Sequence, residues 1–343
     1  MVIVGSILPL MAQQPTKPWS VLNDKKRSVI LDTDIGNDID DVLALDMLIK
    51  YIDDGKVDLL GVMNNKNSEY ATRFLDLLLT WYGHSDIPIG KITDGPLLEG
   101  YGDYARSVVE MNDSLGVIYP YSVNHHDTLM ESHKLYRELL ATQPDQSVMV
   151  ISIGFSTNLQ RLLQSGPDEY SDLNGKELVA RKVYGLSLMG GSFGRNKRNE
   201  FNIIHDIDAA QHVFTAWPTP IVISPFEVGA SMHYPAESIA TDFGWTDQHP
   251  LVDAYKHYRP FPYDRPTWDL TSVYYAVDGD MDLLNVSVPG VLMVDDEGYM
   301  HFNETPEGKH YYLTINAHQQ TALRQYFINL IKRRPHKRDS GGM

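Results

Sequence analysis

Five aspartates fall within ten residues of this chain: Asp32, Asp34, Asp38, Asp40 and Asp41, in L-D-T-D-I-G-N-D-I-D-D at residues 31 to 41. Two carboxylates about 4 Å apart repel by about 4 kcal/mol at an effective dielectric near 20, so a cluster this dense must take up protons or hold a cation. One or two aspartates could be explained as caps of a helix N-terminus favoured by its dipole, but five exceed that role. The chain has no cysteine, which excludes disulfides, thiolate zinc sites and cysteine nucleophiles; a metal must be held by oxygen or imidazole. Oxygen ligands point to calcium or magnesium.

These side chains need a scaffold. Ser28-Val-Ile-Leu31 is a short apolar run ahead of the cluster and reads as a buried strand, while V-L-A-L-D-M-L-I-K at residues 42 to 50 reads as the helix behind it. Gly36 lets the backbone turn sharply between the two. Farther along, strand-like runs at residues 57 to 63, 87 to 90, 147 to 153, 183 to 189 and 220 to 224 alternate with helical patterns at 70 to 82, 128 to 140 and 209 to 217. This is the rhythm of a parallel sheet flanked by helices. Near the end, residues 288 to 294 and 299 to 303 flank Asp295-Asp-Glu-Gly298 as a hairpin, followed by a strand at 311 to 315 and a helix at 319 to 333. The expected fold is one α/β domain over residues 28 to 333, with a mostly parallel central sheet and a C-terminal antiparallel hairpin. Residues 1 to 27 read as a leader and 334 to 343 as a solvated basic tail. Two long connections, residues 94 to 127 and 229 to 266, show little periodicity and read as lids or binding loops.

With 45 acidic against 29 basic side chains the net charge is −16, which opposes a polynucleotide or an anionic membrane as partner and favours a small neutral or cationic ligand or a bound cation. Residues 2 to 12 form an apolar run ending in small or medium residues before Gln13, as at a secretory cleavage site, although a basic start is missing. It is too short for a stable transmembrane helix. The expectation is export, periplasmic or secreted, with a cytoplasmic location as the alternative.

The cluster resembles the D-x-D-x-G-x-D-D signature of the nucleoside hydrolase family, which follows the first strand, and the likeness extends from residue 28 to about 333. The resemblance implies that Asp34 is a calcium ligand and the base that activates water, that Asp40 holds ribose and that Asp41 is a calcium ligand. Five residues rather than three separate Asp34 from the Asp40-Asp41 pair, so Asp38 is an alternative for the role of Asp40 or Asp41. Asn65, in V-M-N-N, resembles an asparagine that contacts the family's site. I-S-I-G-F-S-T-N-L at residues 151 to 159 resembles a segment whose backbone carbonyl binds calcium; Ile153 occupies that position, and a carbonyl ligand does not depend on the side chain. M-G-G at residues 189 to 191, then E-F-N with Glu200 and Asn202, resembles the pair that binds the ribose 5′-hydroxyl. Asp206, in the adjoining D-x-x-A-A, reads as a helix cap. In P-T-W-D-L at residues 266 to 270, Asp269 resembles the late aspartate that binds both metal and ribose. Trp268 stands where one branch of the family has a histidine and a purine-preferring branch has a stacking tryptophan.

The implied activity is hydrolysis of a ribonucleoside N-glycosidic bond, with Ca2+ as cofactor, Asp34 and Asp269 as catalytic residues and a homodimer or homotetramer as the usual assembly. Spacing nominates none of the thirteen histidines as the acid for the leaving base. Two rivals remain at this stage: a catalytically silent riboside-binding protein, and a D-x-D magnesium phosphatase, which explains Asp32 and Asp34 but not Asp40-Asp41, E-F-N or W-D.

Overall fold

The computed structural model describes residues 18–19, 26–98, 103–195, 198–279 and 282–336. The apolar run at residues 2 to 12 lies outside the described residues, as do residues 337 to 343 of the tail.

The first strand, Arg27–Thr33, lies inside a large sheet, third from one edge. It pairs in parallel with Val57–Asn64 on one side and with Val148–Ser152 on the other. Beyond Val57–Asn64 comes Ile89–Gly90; beyond Val148–Ser152 come Val183–Met189, Ile221–Ser224 and His310–Thr314, all parallel. The antiparallel strands Gly290–Val294 and Met300–Glu304 finish that edge. Val29 and Leu31 belong to one hydrophobic core and Ile30 to the other, because successive side chains of a strand point to opposite faces. Met149 and Ile151 alternate with Val148 and Val150 in the same way. Both faces are covered, which is why the central strands are apolar without a break.

Chain order decides where a ligand can sit. It steps outward from the first strand to Val57–Asn64, then returns to the opposite side at Val148–Ser152. That reversal opens a crevice at the carboxyl ends of these strands, the place where open parallel sheets bind ligands. Asp34 stands there, one residue past Thr33.

The helix Asp40–Asp53 is buried almost throughout rather than on one stripe. Its polar members must therefore be neutralised internally, and Lys50 donates to Asp46 at 2.9 Å with both side chains fully buried. Tyr82 adds a hydrogen bond to the same carboxylate at 2.6 Å.

Three sequence expectations change. The connections at residues 94 to 127 and 229 to 266 are not plain loops: they hold the helices Tyr104–Val109, Ala236–Thr241 and Pro250–Tyr258 and two small strand pairs. Helices of six to nine residues are shorter than the window over which a 3.6-residue period can be recognised. The start of the tail is docked rather than solvated, since the His336 backbone N–H donates to Asp53 at 2.9 Å, just past Arg333, which forks onto Asp54 at 2.6 and 3.0 Å. Within the leader, Trp19 is buried against Tyr184 and Tyr275 and lies over Gly185, where a Cβ would meet its ring at 2.6 Å. Among the described residues no helix is long and apolar enough to cross a membrane.

Candidate metal centre

The loop from Asp34 to Asp38 is fastened from three directions. Gly36 has φ +101°, a conformation that L side chains rarely adopt. Its N–H donates to the Tyr104 hydroxyl at 2.8 Å, and that hydroxyl donates to the Asp38 carbonyl at 2.5 Å. The buried Lys66 ammonium donates to the Gly36 carbonyl at 2.8 Å. Arg265 forks onto the Asp38 carboxylate through Nε at 2.8 Å and through Nη2. Asp38, the alternative considered for Asp40 or Asp41, thus has a guanidinium as its counter-ion.

Asp40 and Asp41 occupy the first turn of Asp40–Asp53, and Asp269 the first turn of Trp268–Val277; both helix N-termini favour negative charge. The Asp269 backbone N–H donates to Asp40 Oδ2 at 3.1 Å, and Thr33 Oγ1 donates to Asp41. One carboxylate oxygen from each of Asp40, Asp41 and Asp269 lies within 4.8 Å of the others, and all three side chains are buried. Burial pushes all three carboxyls well above their ordinary range. Asp38 is the next cause for Asp40, Asp34 and then Asp40 for Asp41, and Asp40 and then Asp41 for Asp269. A buried, oxygen-only cluster whose members repel one another suits a hard divalent cation.

Asp34 lines the same cavity but stands outside that triad. Burial raises its carboxyl to about 6, against the lowering effect of an Asn37 Nδ2 hydrogen bond at 2.6 Å and of Lys66. Behind it, Gly154 permits a close crossing: a Cβ there would lie 2.6 Å from the Asp34 backbone nitrogen and 2.7 Å from Asn65 Oδ1. Ile153, whose N–H donates to the Asp32 carbonyl at 2.8 Å, lines the cavity next to this crossing.

Of the nine residues singled out from sequence, eight line one cavity of about 330 Å³: Asp34, Asp40, Asp41, Ile153, Glu200, Asn202, Trp268 and Asp269. Asn65 is the exception. It sits behind the site, donating to Asp32 Oδ1 at 2.5 Å and to the Phe155 carbonyl at 3.1 Å. Asp32, fully buried, also accepts from Tyr136 and Asn158, and desolvation raises it to about 7. These two residues form the floor under the loop. Asp206 starts the helix Ile207–Ala216 but makes no capping hydrogen bond to it; its carboxylate accepts from Thr157 Oγ1 at 2.8 Å, tying two helix starts together.

On the far wall, Glu200 accepts backbone N–H groups of Gly191, Asn202 and Ile203 at 3.1 to 3.3 Å, and burial raises it to about 7. The Trp268 ring lies 5.4 Å from Phe226, and its indole N–H donates to the Phe226 carbonyl at 3.1 Å. Sequence reasoning missed Asn37, Arg198, His205, Phe226, Tyr258, Arg259 and Arg265, which also line the cavity. Asn37 lies inside the aspartate motif, Arg198 two residues ahead of E-F-N and Arg265 three residues ahead of Trp268; Phe226, Tyr258 and Arg259 carry no local signal.

The model of the family described as inosine-uridine preferring nucleoside hydrolase matches residues 29–333. No curated protein matches the chain by sequence. Among solved structures the fold is similar to a plant nucleoside hydrolase, at 21% identity and TM-score 0.65 over 89% of this chain and 98% of that one. It is similar to the inosine-uridine preferring nucleoside hydrolase of Bacillus anthracis, at 18% identity and TM-score 0.65 over 89% and 99%. It is also similar to the purine-preferring ribonucleoside hydrolase from Gardnerella vaginalis, at 17% identity and TM-score 0.66 over 89% and 99%. At such identities the likeness is one of fold.

Proposed function

We propose, from the fact that this chain belongs to the inosine-uridine preferring nucleoside hydrolase family, that it hydrolyses the N-glycosidic bond of ribonucleosides to ribose and free base. The observation that carries the reading is the buried triad of Asp40, Asp41 and Asp269, drawn from two distant segments to one rim of the sheet. These carboxylates, with the Ile153 carbonyl and Asp34 beside them, are the groups that would hold calcium. When bound, calcium would supply Lewis-acid activation of water and a template for ribose hydroxyls.

The chain's own residues do the rest. Asp34 accepts the proton of the attacking water, a role suited to a carboxylate that lines the cavity beside the ion site. Glu200 and Asn202 anchor the ribose 5′ side, and Asp40 and Asp269 engage its other hydroxyls, fixing the reacting carbon beside the water. Carboxylates around the sugar favour the positive charge that develops as the bond to nitrogen lengthens. Trp268 and Phe226 give the base an apolar aromatic wall.

The test is a panel of inosine, guanosine, adenosine, uridine and cytidine, incubated with and without chelator, with ribose and base both quantified. Release of base that stops on chelation and returns with calcium is expected. Calorimetric binding of nucleoside without base release, at full calcium occupancy, would instead identify a silent riboside-binding protein. Phosphate release from phosphate esters, with no cleavage of nucleosides, would identify a phosphatase.

A further inference from the structure

The groups at the sugar end are almost all acceptors, yet a base that departs with the bonding electron pair carries negative charge and needs donors. Trp268 cannot protonate it, since its only polar hydrogen is given to the Phe226 carbonyl. Arg265 is differently placed. It lines the cavity, its side chain is only about a tenth exposed, and its guanidinium lies 5.1 Å from the ring centroids of both Tyr258 and Trp268. Asp38 takes up Nε and Nη2. Among the described residues Nη1 has no hydrogen-bond partner, so its two N–H groups remain for a ligand in the cavity. The other cavity arginines, Arg198 and Arg259, are exposed and have no such carboxylate anchor.

We propose that Arg265 is the catalytic residue for leaving-group departure, its Nη1 hydrogen-bonding the base as negative charge develops there, with Asp38 as the positioning residue that fixes the guanidinium. This rests on the hydrolase reading above. The C1′–N bond breaks and its electron pair goes to the base; the water oxygen bonds to C1′ and its proton passes to Asp34. The base takes its proton from solvent at the cavity mouth, and Asp34 returns its own to solvent, so the sum is nucleoside plus water to ribose plus base. Arginine is too weak an acid to give up a proton, so it acts as a fixed cation throughout. A lysine would keep the charge but could not grip Asp38 with two nitrogens and present a third.

The experiment compares inosine with p-nitrophenyl β-D-ribofuranoside, whose leaving group departs as a stable anion without help. Arg265→Gln should lower kcat on inosine on the order of a hundredfold more than kcat on the p-nitrophenyl riboside, so that the ratio of the two losses separates leaving-group help from any loosening of the Asp34–Asp38 loop, with circular dichroism to show that the variant is folded. Asp38→Asn should give a smaller loss in the same direction, larger on inosine than on the riboside, and Arg265→Lys should recover part of the inosine activity of Arg265→Gln. Parallel losses on both substrates, or no loss on inosine, overturn the role of Arg265 while leaving the hydrolase reading intact. A wild-type protein inactive on both substrates removes the hydrolase reading and this role with it.

Discussion

Replacing Asp269 by asparagine should make the metal-free protein more stable, although it removes a buried carboxylate that the fold has gathered. Carboxylate oxygens of Asp40, Asp41 and Asp269 come within 4.8 Å of one another. At that separation each ionised pair costs about 3.5 kcal/mol at an effective dielectric of 20, and Asp269 takes part in two of the three pairs. Proton uptake relieves much of this, because all three carboxyls are pushed well above their ordinary range. A net gain on the order of 2 kcal/mol is therefore expected at pH 8 for Asp269→Asn in chelator. The sign follows from the direction of the shift: a carboxyl raised by folding costs stability in full above its folded value, and that cost shrinks as pH falls from there toward the ordinary carboxyl value. The gain should thus shrink toward pH 5. Calcium should raise the urea midpoint of the wild type, as any ligand that binds only the folded state does, and should do little for the variant. Urea unfolding at pH 5 and pH 8, in chelator and in calcium, measures all four quantities. A variant less stable than wild type in chelator at pH 8, or one that calcium stabilises as strongly, would refute the claim that repulsion among these three carboxylates is what a cation relieves.

Gly154→Ala places a Cβ 2.6 Å from the Asp34 backbone nitrogen, so it should lower kcat at least tenfold, about 1.4 kcal/mol of barrier, with the sheet intact by circular dichroism. Tyr104→Phe removes the acceptor of the Gly36 N–H and the donor to the Asp38 carbonyl; a loss of about 1 to 2 kcal/mol in urea unfolding and weaker calcium binding by titration are expected. For Glu200 the rise from 4.5 to about 7 corresponds to about 3 kcal/mol, a cost absent below pH 4.5 and complete above pH 7, so Glu200→Gln should flatten the pH dependence of stability across that window by a comparable amount. Trp268→Ala should slow purine nucleosides more than pyrimidine ones, as read from kcat/KM; equal losses would leave the ring only a packing role with Phe226.

The motifs were legible because each is local. The repulsion implied by L-D-T-D-I-G-N-D-I-D-D does not depend on the rest of the chain, and neither does the alternation of apolar runs that marks a parallel sheet; the family and the fold class could both be read from them. The first strand, the buried runs at 57 to 63, 147 to 153 and 183 to 189, and the late helix appear in the structure within a few residues of the expected positions. What local pattern cannot carry is which distant groups meet. The spacing left open whether Asp38 shares the role of Asp40 or Asp41, because its partner, Arg265, lies 227 positions away. Asn65 matched a motif but faces Asp32 rather than the cavity, since one residue of register in a strand end decides which side a side chain takes. Tyr104, Tyr258 and Arg265 come from connections too short in period to read, and only the return of the chain across the first strand brings them over the aspartate loop. Charge density was thus fixed by the order of residues, whereas the pairing of Asp38 with a guanidinium and the gathering of Asp40, Asp41 and Asp269 into a cluster that could hold an ion were decided by how the sheet folds back on itself.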